Sequence, residues 1–223
     1  MSKYNAAISK TVKQPAKGKY GQGTKLKITN AMVMYVKNVG YGGLKFGEAE
    51  VEDKPWMNRQ YELDVLITED IADALKEIHS RQGIKEKTLE QFKETYKVDP
   101  PYEAKKYYVT KFYKEAFYKN GSHKGEEAPR TSFVSDTGSS LEEVGIGNGS
   151  VANLIVNASH YKNDFGSGTS MRLGSVQITD LIEYSLGGSD DLDEFDFVEA
   201  PPEPTTSSVA ASNSNDRDDD WDE

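Results

Sequence analysis

One stretch of interleaved aromatic and basic residues, Lys105–Asn120 (KKYYVTKFYKEAFYKN), constrains the fold more than any other part of the chain. Between Lys105 and Lys119 it contains six aromatic residues and five lysines. Tyrosine, phenylalanine, valine and threonine favour strands, in which successive side chains lie on opposite faces. Both faces of this strand would carry rings and lysines, whereas an ordinary half-buried strand has one apolar and one polar face.

Two interpretations of this strand follow from its composition. Its rings could fill a β-sheet core while its lysines are solvated, because most aromatic side chains in strands are buried. Alternatively, rings that stack on bases and ammonium groups that attract phosphates suit a single-stranded nucleic acid. The even-numbered residues form the more apolar face, which we expect to enter the core: Tyr108, Phe112, Ala116 and Tyr118. The odd-numbered residues expected to face a nucleic acid are Tyr107, Lys111 and Tyr113.

The net charge of −10 is distributed unevenly along the 223 residues. Residues 187–223 contain thirteen acidic residues and one arginine, which leaves 26 basic and 24 acidic residues in 1–186. The C-terminal stretch is also poor in apolar side chains, so burial cannot offset the entropy of ordering it. We therefore predict a slightly basic folded body and a disordered acidic tail that serves protein interactions.

Residues 1–23 hold five lysines and no acidic residue, and they predict a mobile basic N-terminal arm. The predicted organisation is this arm, a folded domain over residues 24–186 and the tail over 187–223. The N-terminus has no apolar run typical of a signal peptide, and no stretch reaches the eighteen or so apolar residues of a membrane span. The chain contains no cysteine, which excludes disulfides and thiolate metal sites.

Alternating apolar residues predict strands at Thr24–Val36, Arg59–Thr68, Thr131–Ser135 and Ser150–Ser159. A last strand region covers Thr169–Tyr184, where apolar residues change parity near Gly174 and predict a β-bulge. His160–Gly168 (HYKNDFGSG) and the glycine-rich Gly145–Gly149 (GIGNG) are predicted to be loops.

Two helices are predicted between the second strand and the aromatic strand. Thr68 is a suitable N-cap for the first helix, and Gly83 a suitable C-cap. Thr88 and Gln91 have the spacing of a capping box for the second, which Pro100 ends. Because helices do not alternate regularly with strands, the pattern favours a mostly β fold: an OB-fold-like five-stranded antiparallel barrel with an inserted, capping helical segment.

The sequence offers little support for an enzyme. His79, His123 and His160 lack metal-ligand spacing, and there is no GxSxG motif for a serine nucleophile. The paired acidic residues lie in turn or tail sequence, where a desolvated catalytic site is not expected. We therefore expect no catalytic residues, no metal site and no cofactor.

In element order, the chain resembles the single-stranded DNA-binding proteins of T7-like bacteriophages. The residues that carry the resemblance are SFVSDTGSSLEEVGIGNGSVANLIV (132–156), HYKNDFGSGTSMRLGSVQITDLIEYSLGG (160–188) and the acidic tail. The helical segment Asp70–Pro101, which follows YELDVLIT, matches in position. The resemblance implies an OB-fold and sequence-independent binding of single-stranded DNA in phage DNA replication, recombination and repair, within the host cytoplasm. It also implies a tail that contacts the replicative DNA polymerase and the helicase/primase. Separately from the resemblance, a homodimer is a further expectation.

The resemblance also assigns individual residues. Tyr161 and Lys162 match a Tyr-Lys pair that the family uses for DNA contact, and Arg172 matches a basic position after a GxS pattern. Asn163 stands where the best-known member has tryptophan, and Phe165 follows two places on, so the second stacking ring has either moved or been lost. The residues implied for the tail contact are Asp218, Asp219, Asp220, Trp221, Asp222 and Glu223, whereas the family member ends in an aromatic residue.

Two other functions remain open from the sequence. A barrel with an acidic tail could be a protein-interaction module, similar to a histone chaperone, that binds basic partners through the tail. An OB domain could also bind RNA, because the sequence does not reveal a group that reads the 2′-hydroxyl.

Overall fold

The computed structural model describes residues 4–12, 23–40, 42–45, 48–51, 54, 58–79, 82–119, 121–163 and 166–184. All of them lie within the unit formed by residues 1–186. The predicted acidic tail, including Asp218–Glu223, lies outside the described residues.

The described residues form nine strands and two helices. In chain order they are β1 (Ala7–Val12), β2 (Gly23–Lys37), β3 (Gly43–Leu44), β4 (Arg59–Ile67), α1 (Glu69–Ile78), β5 (Ile84–Lys87), α2 (Leu89–Tyr96), β6 (Tyr107–Glu115), β7 (Ser132–Ser135), β8 (Ser150–Asn163) and β9 (Gly166–Asp180). The strands pair in the order β5-β6-β4-β2-β8-β9-β7, while β1 pairs with β2 and β3 with β4.

The mostly β fold with a helical segment between two sheet strands is confirmed. The five long strands β6-β4-β2-β8-β9 are antiparallel neighbours, and the outer two, β6 and β9, line one groove together. This arrangement fits a partly open Greek-key barrel. The sheet exceeds the five strands predicted, because β1, β3, β5 and β7 extend it, and β7 pairs with β9 in parallel.

Apolar residues lie on both faces of the sheet. The main core packs the inward residues of the long strands, such as Leu63, Phe112 and Leu154, against Ile71 and Leu75 of α1. A smaller core on the other face joins α2 to β2, β4 and β6; its members are Met32, Met34, Leu66, Phe92, Tyr96, Tyr107 and Val109. The second core explains why the aromatic strand carries rings on both faces.

The prediction that Tyr107 faces a nucleic acid is wrong in orientation, because α2 covers the start of β6. Tyr107 is 1% exposed, its ring lies 5.5 Å from that of Phe92, and its hydroxyl donates to the Tyr102 carbonyl at 3.1 Å. Tyr118 differs in the opposite sense: it was expected in the core but is exposed beyond the end of β6, with its ring near His123.

The predicted mobile arm contains a strand. Ala7–Val12 pairs antiparallel with residues 24–29 of β2. On this side of β2, β4 pairs only with the later residues, Val33 to Lys37, and leaves the earlier ones open. The strand provides hydrogen-bond partners for backbone groups that would otherwise form an open edge. The other residues of 1–23, apart from Tyr4–Ala6 and Gly23, lie outside the described residues.

His160–Gly168 is not a separate loop, because β8 and β9 continue through it as a hairpin. The pairing runs out to Asn163 opposite Gly166, with Tyr161 opposite Gly168. The predicted bulge is confirmed: Leu173 pairs with Val156 and Ser175 with Ile155, so Gly174 has no direct partner.

The helix starts were predicted more accurately than the helix ends. Thr68 is the N-cap residue of α1, although the helix ends at Ile78, well before Gly83. The capping box of α2 is confirmed, since Gln91 N donates to Thr88 Oγ1 at 3.3 Å and Thr88 N donates to Gln91 Oε1 at 3.0 Å.

We predict that Gly174→Ala destabilises the protein by about 1–3 kcal/mol, the usual cost of overpacking. A Cβ atom at this position would lie 2.9 Å from the backbone oxygen of Ile155 and 2.7 Å from Asn157 Nδ2. The measurement is urea unfolding. Gly83→Ala is the control, because a Cβ there meets nothing within 4 Å, and its stability should stay within about 0.5 kcal/mol of wild type. Equal stability of the two variants would contradict the prediction.

Candidate functional site

The first groove is a cavity of about 520 Å³ between β6 and the β8–β9 hairpin. Its lining residues come from three separate parts of the sequence: His79, Gln82, Gly83, Lys111, Tyr113, Lys114, Glu115, Tyr161, Thr169, Ser170, Met171 and Arg172. The barrel order places these parts side by side, because β6 and β9 are the outer members of the five long strands.

Four of the predicted DNA-contact residues meet in the first groove: Lys111, Tyr113, Tyr161 and Arg172. Tyr113 and Tyr161 are 45% and 44% exposed, so each ring has a surface open to solvent. Arg172 is also exposed. Two rings and two cations thus line one concavity, although about fifty residues of sequence lie between Lys111 and Tyr113 on one side and Tyr161 and Arg172 on the other.

Tyr161 is positioned by the residue opposite it in the hairpin. Its ring lies over Gly168 so closely that a Cβ atom there would be 2.6 Å from the tyrosine Oη. Packing of an aromatic ring over a cross-strand glycine is a known way of stabilising such pairs. The hairpin therefore presents Tyr161 in a defined place at the groove.

Lys114 is a further cation in the first groove that the sequence did not single out. Burial lowers the pKa of its ammonium group, and the nearby positive charge of Arg172 lowers it further. The strand pattern alone placed Lys114 with the inward-facing residues of β6; only the approach of β9 shows that it lies beside a second cation.

Two carboxylates of β4 lie beside Lys111. The Nζ atom of Lys111 lies 3.2 Å from Glu62 Oε1 and 3.9 Å from Asp64 Oδ1. Glu62 also pairs with Lys37 of β2 at 2.6 Å and accepts a hydrogen bond from Gln60. The resulting chain of charges crosses three neighbouring strands and holds Lys111 at the groove.

The pKa values of the two carboxyl groups shift in opposite directions. Burial raises the pKa of Glu62, but hydrogen bonds from Lys37 and Gln60 and the charge of Lys111 outweigh it and lower the pKa overall. Burial raises the pKa of Asp64, and the charge of Lys111 and a 3.0 Å hydrogen bond from Tyr96 offset this only in part. Glu62 is also the carboxylate that contacts both lysines, Lys37 and Lys111.

A second groove, of about 650 Å³, shares Lys111 with the first. It is lined by Tyr35, Val36, Lys37, Glu62, Tyr96, Lys97, Val98, Lys111, Ile146, Gly147, Asn148 and Tyr184. Sequence reasoning missed its two exposed tyrosines, Tyr35 and Tyr184. Both lie in predicted strand regions, where an aromatic residue is usually taken for part of the core.

Three groups of predicted residues are not placed in either groove. Tyr107 is in the smaller core. The backbone of Lys162 pairs with Ser167 in the hairpin, but its side chain, like Phe165, is outside the described part of the chain. The tail residues are also outside it, so these contacts stay predictions.

No group of three or more histidine, cysteine, aspartate or glutamate side chains suited to a metal ion occurs among the described residues. In the same part of the chain, neither helix is long and apolar enough to cross a membrane.

We predict that Glu62→Gln costs about 1.5–3 kcal/mol at neutral pH, the value of hydrogen bonds to a charged group. Glu62 is 3% exposed and its pKa is lowered in the fold. Its contribution to stability is therefore fully present above pH 4.5, the ordinary pKa of glutamate, and is lost as the pH falls through the lower pKa of the folded state. Urea unfolding measured from about pH 7 to about pH 3 should show the free energy of unfolding of the wild type falling towards that of the variant at the acidic end.

Glu86→Gln is the matched control for this measurement. Glu86 also pairs with a lysine, Lys106 at 2.6 Å, but both side chains are at least half exposed. An exposed ion pair contributes little to stability, so this variant should differ little from wild type. Equal losses for Glu62→Gln and Glu86→Gln would show that the buried carboxylate has no special role.

No protein-family model and no curated protein sequence matches this chain significantly. Among solved structures, it is similar to a C-terminally truncated single-stranded DNA-binding protein from bacteriophage Enc34, with 16% identity over 77% of this chain and 96% of that one, at a TM-score of 0.41.

The Enc34 protein in complex with ssDNA matches with 16% identity over 77% of this chain and 97% of that one, at a TM-score of 0.38. The single-stranded DNA-binding protein gp2.5 encoded by bacteriophage T7 matches with 18% identity over 93% of this chain and 100% of that one, at a TM-score of 0.40. These solved structures are bacteriophage single-stranded DNA-binding proteins, the family that the sequence resembles.

Proposed function

We propose that this protein binds single-stranded DNA without sequence specificity, and that the first groove is its binding surface. The observation that carries the proposal is the meeting of Lys111, Tyr113, Tyr161 and Arg172 in one groove from two distant parts of the sequence. A groove that combines cations with exposed rings has the two features that a flexible single strand requires.

The division of labour follows from the chemistry of the side chains. Lys111 and Arg172, with Lys162 from the same hairpin, neutralise phosphates. Tyr113, Tyr161 and Phe165 stack on bases. Every base has a π face and every nucleotide a phosphate, so neither contact reads sequence.

The wider role that we propose is the protection of single-stranded DNA during phage DNA replication, recombination and repair, in the host cytoplasm. The acidic tail recruits the replicative DNA polymerase and the helicase/primase through Asp218, Asp219, Asp220, Trp221, Asp222 and Glu223. The protein acts without a cofactor and without catalysis, and it can form a homodimer. The charge contrast between residues 1–186 and 187–223 supports the division into a DNA-binding body and a protein-binding tail.

We predict that Tyr113→Ala and Tyr161→Ala each weaken oligo-dT binding by about 1–3 kcal/mol, the contribution of one stacked base. The measurement is a fluorescence titration with oligo-dT at several salt concentrations. Tyr118→Ala is the control, because Tyr118 is similarly exposed but does not line the groove, and its affinity should equal that of wild type.

The same titrations test the cations. Arg172→Gln should flatten the dependence of log affinity on log salt by about 0.7, the loss of one phosphate contact on a single strand. Absence of oligo-dT binding by the wild type would refute the proposed function and favour a module that binds proteins through its tail. Preference for oligo-U would favour RNA.

We predict that deletion of Gly187–Glu223 tightens oligo-dT binding at low salt. Thirteen carboxylates tethered to a slightly basic body have a high effective concentration at the groove and compete with phosphates for its cations. The gain should diminish as salt screens the competition. Unchanged or weaker binding by the truncated protein would refute competition by the tail.

A further inference from the structure

The glycine-rich loop Gly145–Gly149 builds the second groove, a feature that the proposed function leaves unexplained. Gly147 N donates to the Ile182 carbonyl at 2.7 Å, and Tyr184 N donates to the Gly145 carbonyl at 2.8 Å. These two hydrogen bonds fix the segment after β9 along the loop. As a result, Tyr184 lines the second groove with 61% of its surface exposed.

Tyr35 also lines the second groove and is held in an unusual backbone conformation. Its φ angle of 49° is left-handed, which is uncommon for a bulky residue. Asn148 of the glycine-rich loop accepts a hydrogen bond from Tyr35 N at 2.8 Å and donates to the Tyr96 carbonyl at 2.8 Å. Strained residues over-determined by their surroundings cluster at binding sites.

The side chain of Tyr35 is also fixed without being buried. Its ring lies 5.2 Å from that of Tyr96, and its hydroxyl donates to the Thr95 carbonyl. It nevertheless remains 47% exposed. A pre-positioned ring of this kind loses little conformational entropy when a flat ligand stacks on it.

The charges of the second groove suit a phosphate backbone. Its lining contains three lysines, Lys37, Lys97 and Lys111, and one carboxylate, Glu62. Glu62 is already paired with Lys37 and Lys111, so the lining keeps an excess of positive charge. Lys111 lines both grooves, which makes them continuous at this residue.

We propose that the second groove binds a further part of the same DNA strand, with bases stacked on Tyr35 and Tyr184 and the phosphates passing Lys111 between the grooves. This inference rests on the proposed function, because it extends the path of the strand from the first groove. The excess of lysines and the continuity at Lys111 favour DNA over a peptide, whose backbone carries no charge for the lysines to bind.

The test is a titration of the full chain with a series of oligo-dT lengths from about 4 to about 16 nucleotides, the range of site sizes of OB folds. Tyr35→Ala and Tyr184→Ala should each lower the affinity for the longest oligonucleotide about 5-fold to 150-fold, the effect of one lost stack. The loss for the shortest should be smaller, because the first groove alone accommodates it.

Conservative variants separate stacking from folding. Tyr184→Phe keeps its ring and should bind every length as the wild type does, whereas a requirement for its hydroxyl group would overturn the proposal. Tyr35→Phe keeps its ring but loses the hydrogen bond to the Thr95 carbonyl, so it should lose less affinity than Tyr35→Ala does. Equal losses for these two variants would overturn the stacking role of Tyr35. Tyr118→Ala, outside both grooves, is the control and should not change binding at any length.

The two proposals fail in different ways. If the wild type binds no oligonucleotide, the proposed function itself fails. If the wild type binds and Tyr161→Ala weakens binding while Tyr35→Ala and Tyr184→Ala match wild type at all lengths, the first groove stands and the extension into the second is refuted. In that case the second groove is free for a protein partner.

Discussion

The structure depends on the pairing of β2, which lies in the middle of the long strands and bonds to β1, β4 and β8. The strand changes register at two places, where Asn30 and Tyr35 adopt left-handed φ angles of 51° and 49°. An asparagine side chain accepts a hydrogen bond from each backbone N–H: Asn153 for Asn30 at 3.1 Å and Asn148 for Tyr35 at 2.8 Å. These irregularities let one strand pair with β8 along most of its length and still change partner from β1 to β4.

The position of β4 between β2 and β6 determines the electrostatics of both grooves. Glu62 lies between Lys37 on one neighbouring strand and Lys111 on the other. A buried carboxylate is costly unless it is paired and hydrogen-bonded, and here two lysines and Gln60 provide those partners. The pairing in turn holds Lys111 where the two grooves meet, so a buried charge and an exposed cation depend on each other.

Features encoded in a few neighbouring residues were predictable, such as the capping box of α2 and the bulge at Gly174. The errors concern features that depend on distant parts of the chain. Tyr107 has the parity of the exposed Lys111 and Tyr113, but α2 packs over it and not over them. The hairpin extension through Tyr161 looked like a loop because its glycines weaken the strand pattern, although Gly168 is what accommodates the tyrosine ring.

By itself, the sequence determined that the body is mostly β, that the helical segment interrupts it after the strand at Arg59–Ile67, and that the acidic charge is concentrated at the C-terminus. Period-two alternation, capping residues and composition are local properties, which is why one chain suffices to establish them. Only the tertiary structure decided which aromatic rings are exposed in a groove, where a ligand can stack on them. The pairing order brings Tyr113 and Tyr161 to one groove and Tyr35 and Tyr184 to the other, because residues far apart in sequence become neighbours only when strands pair.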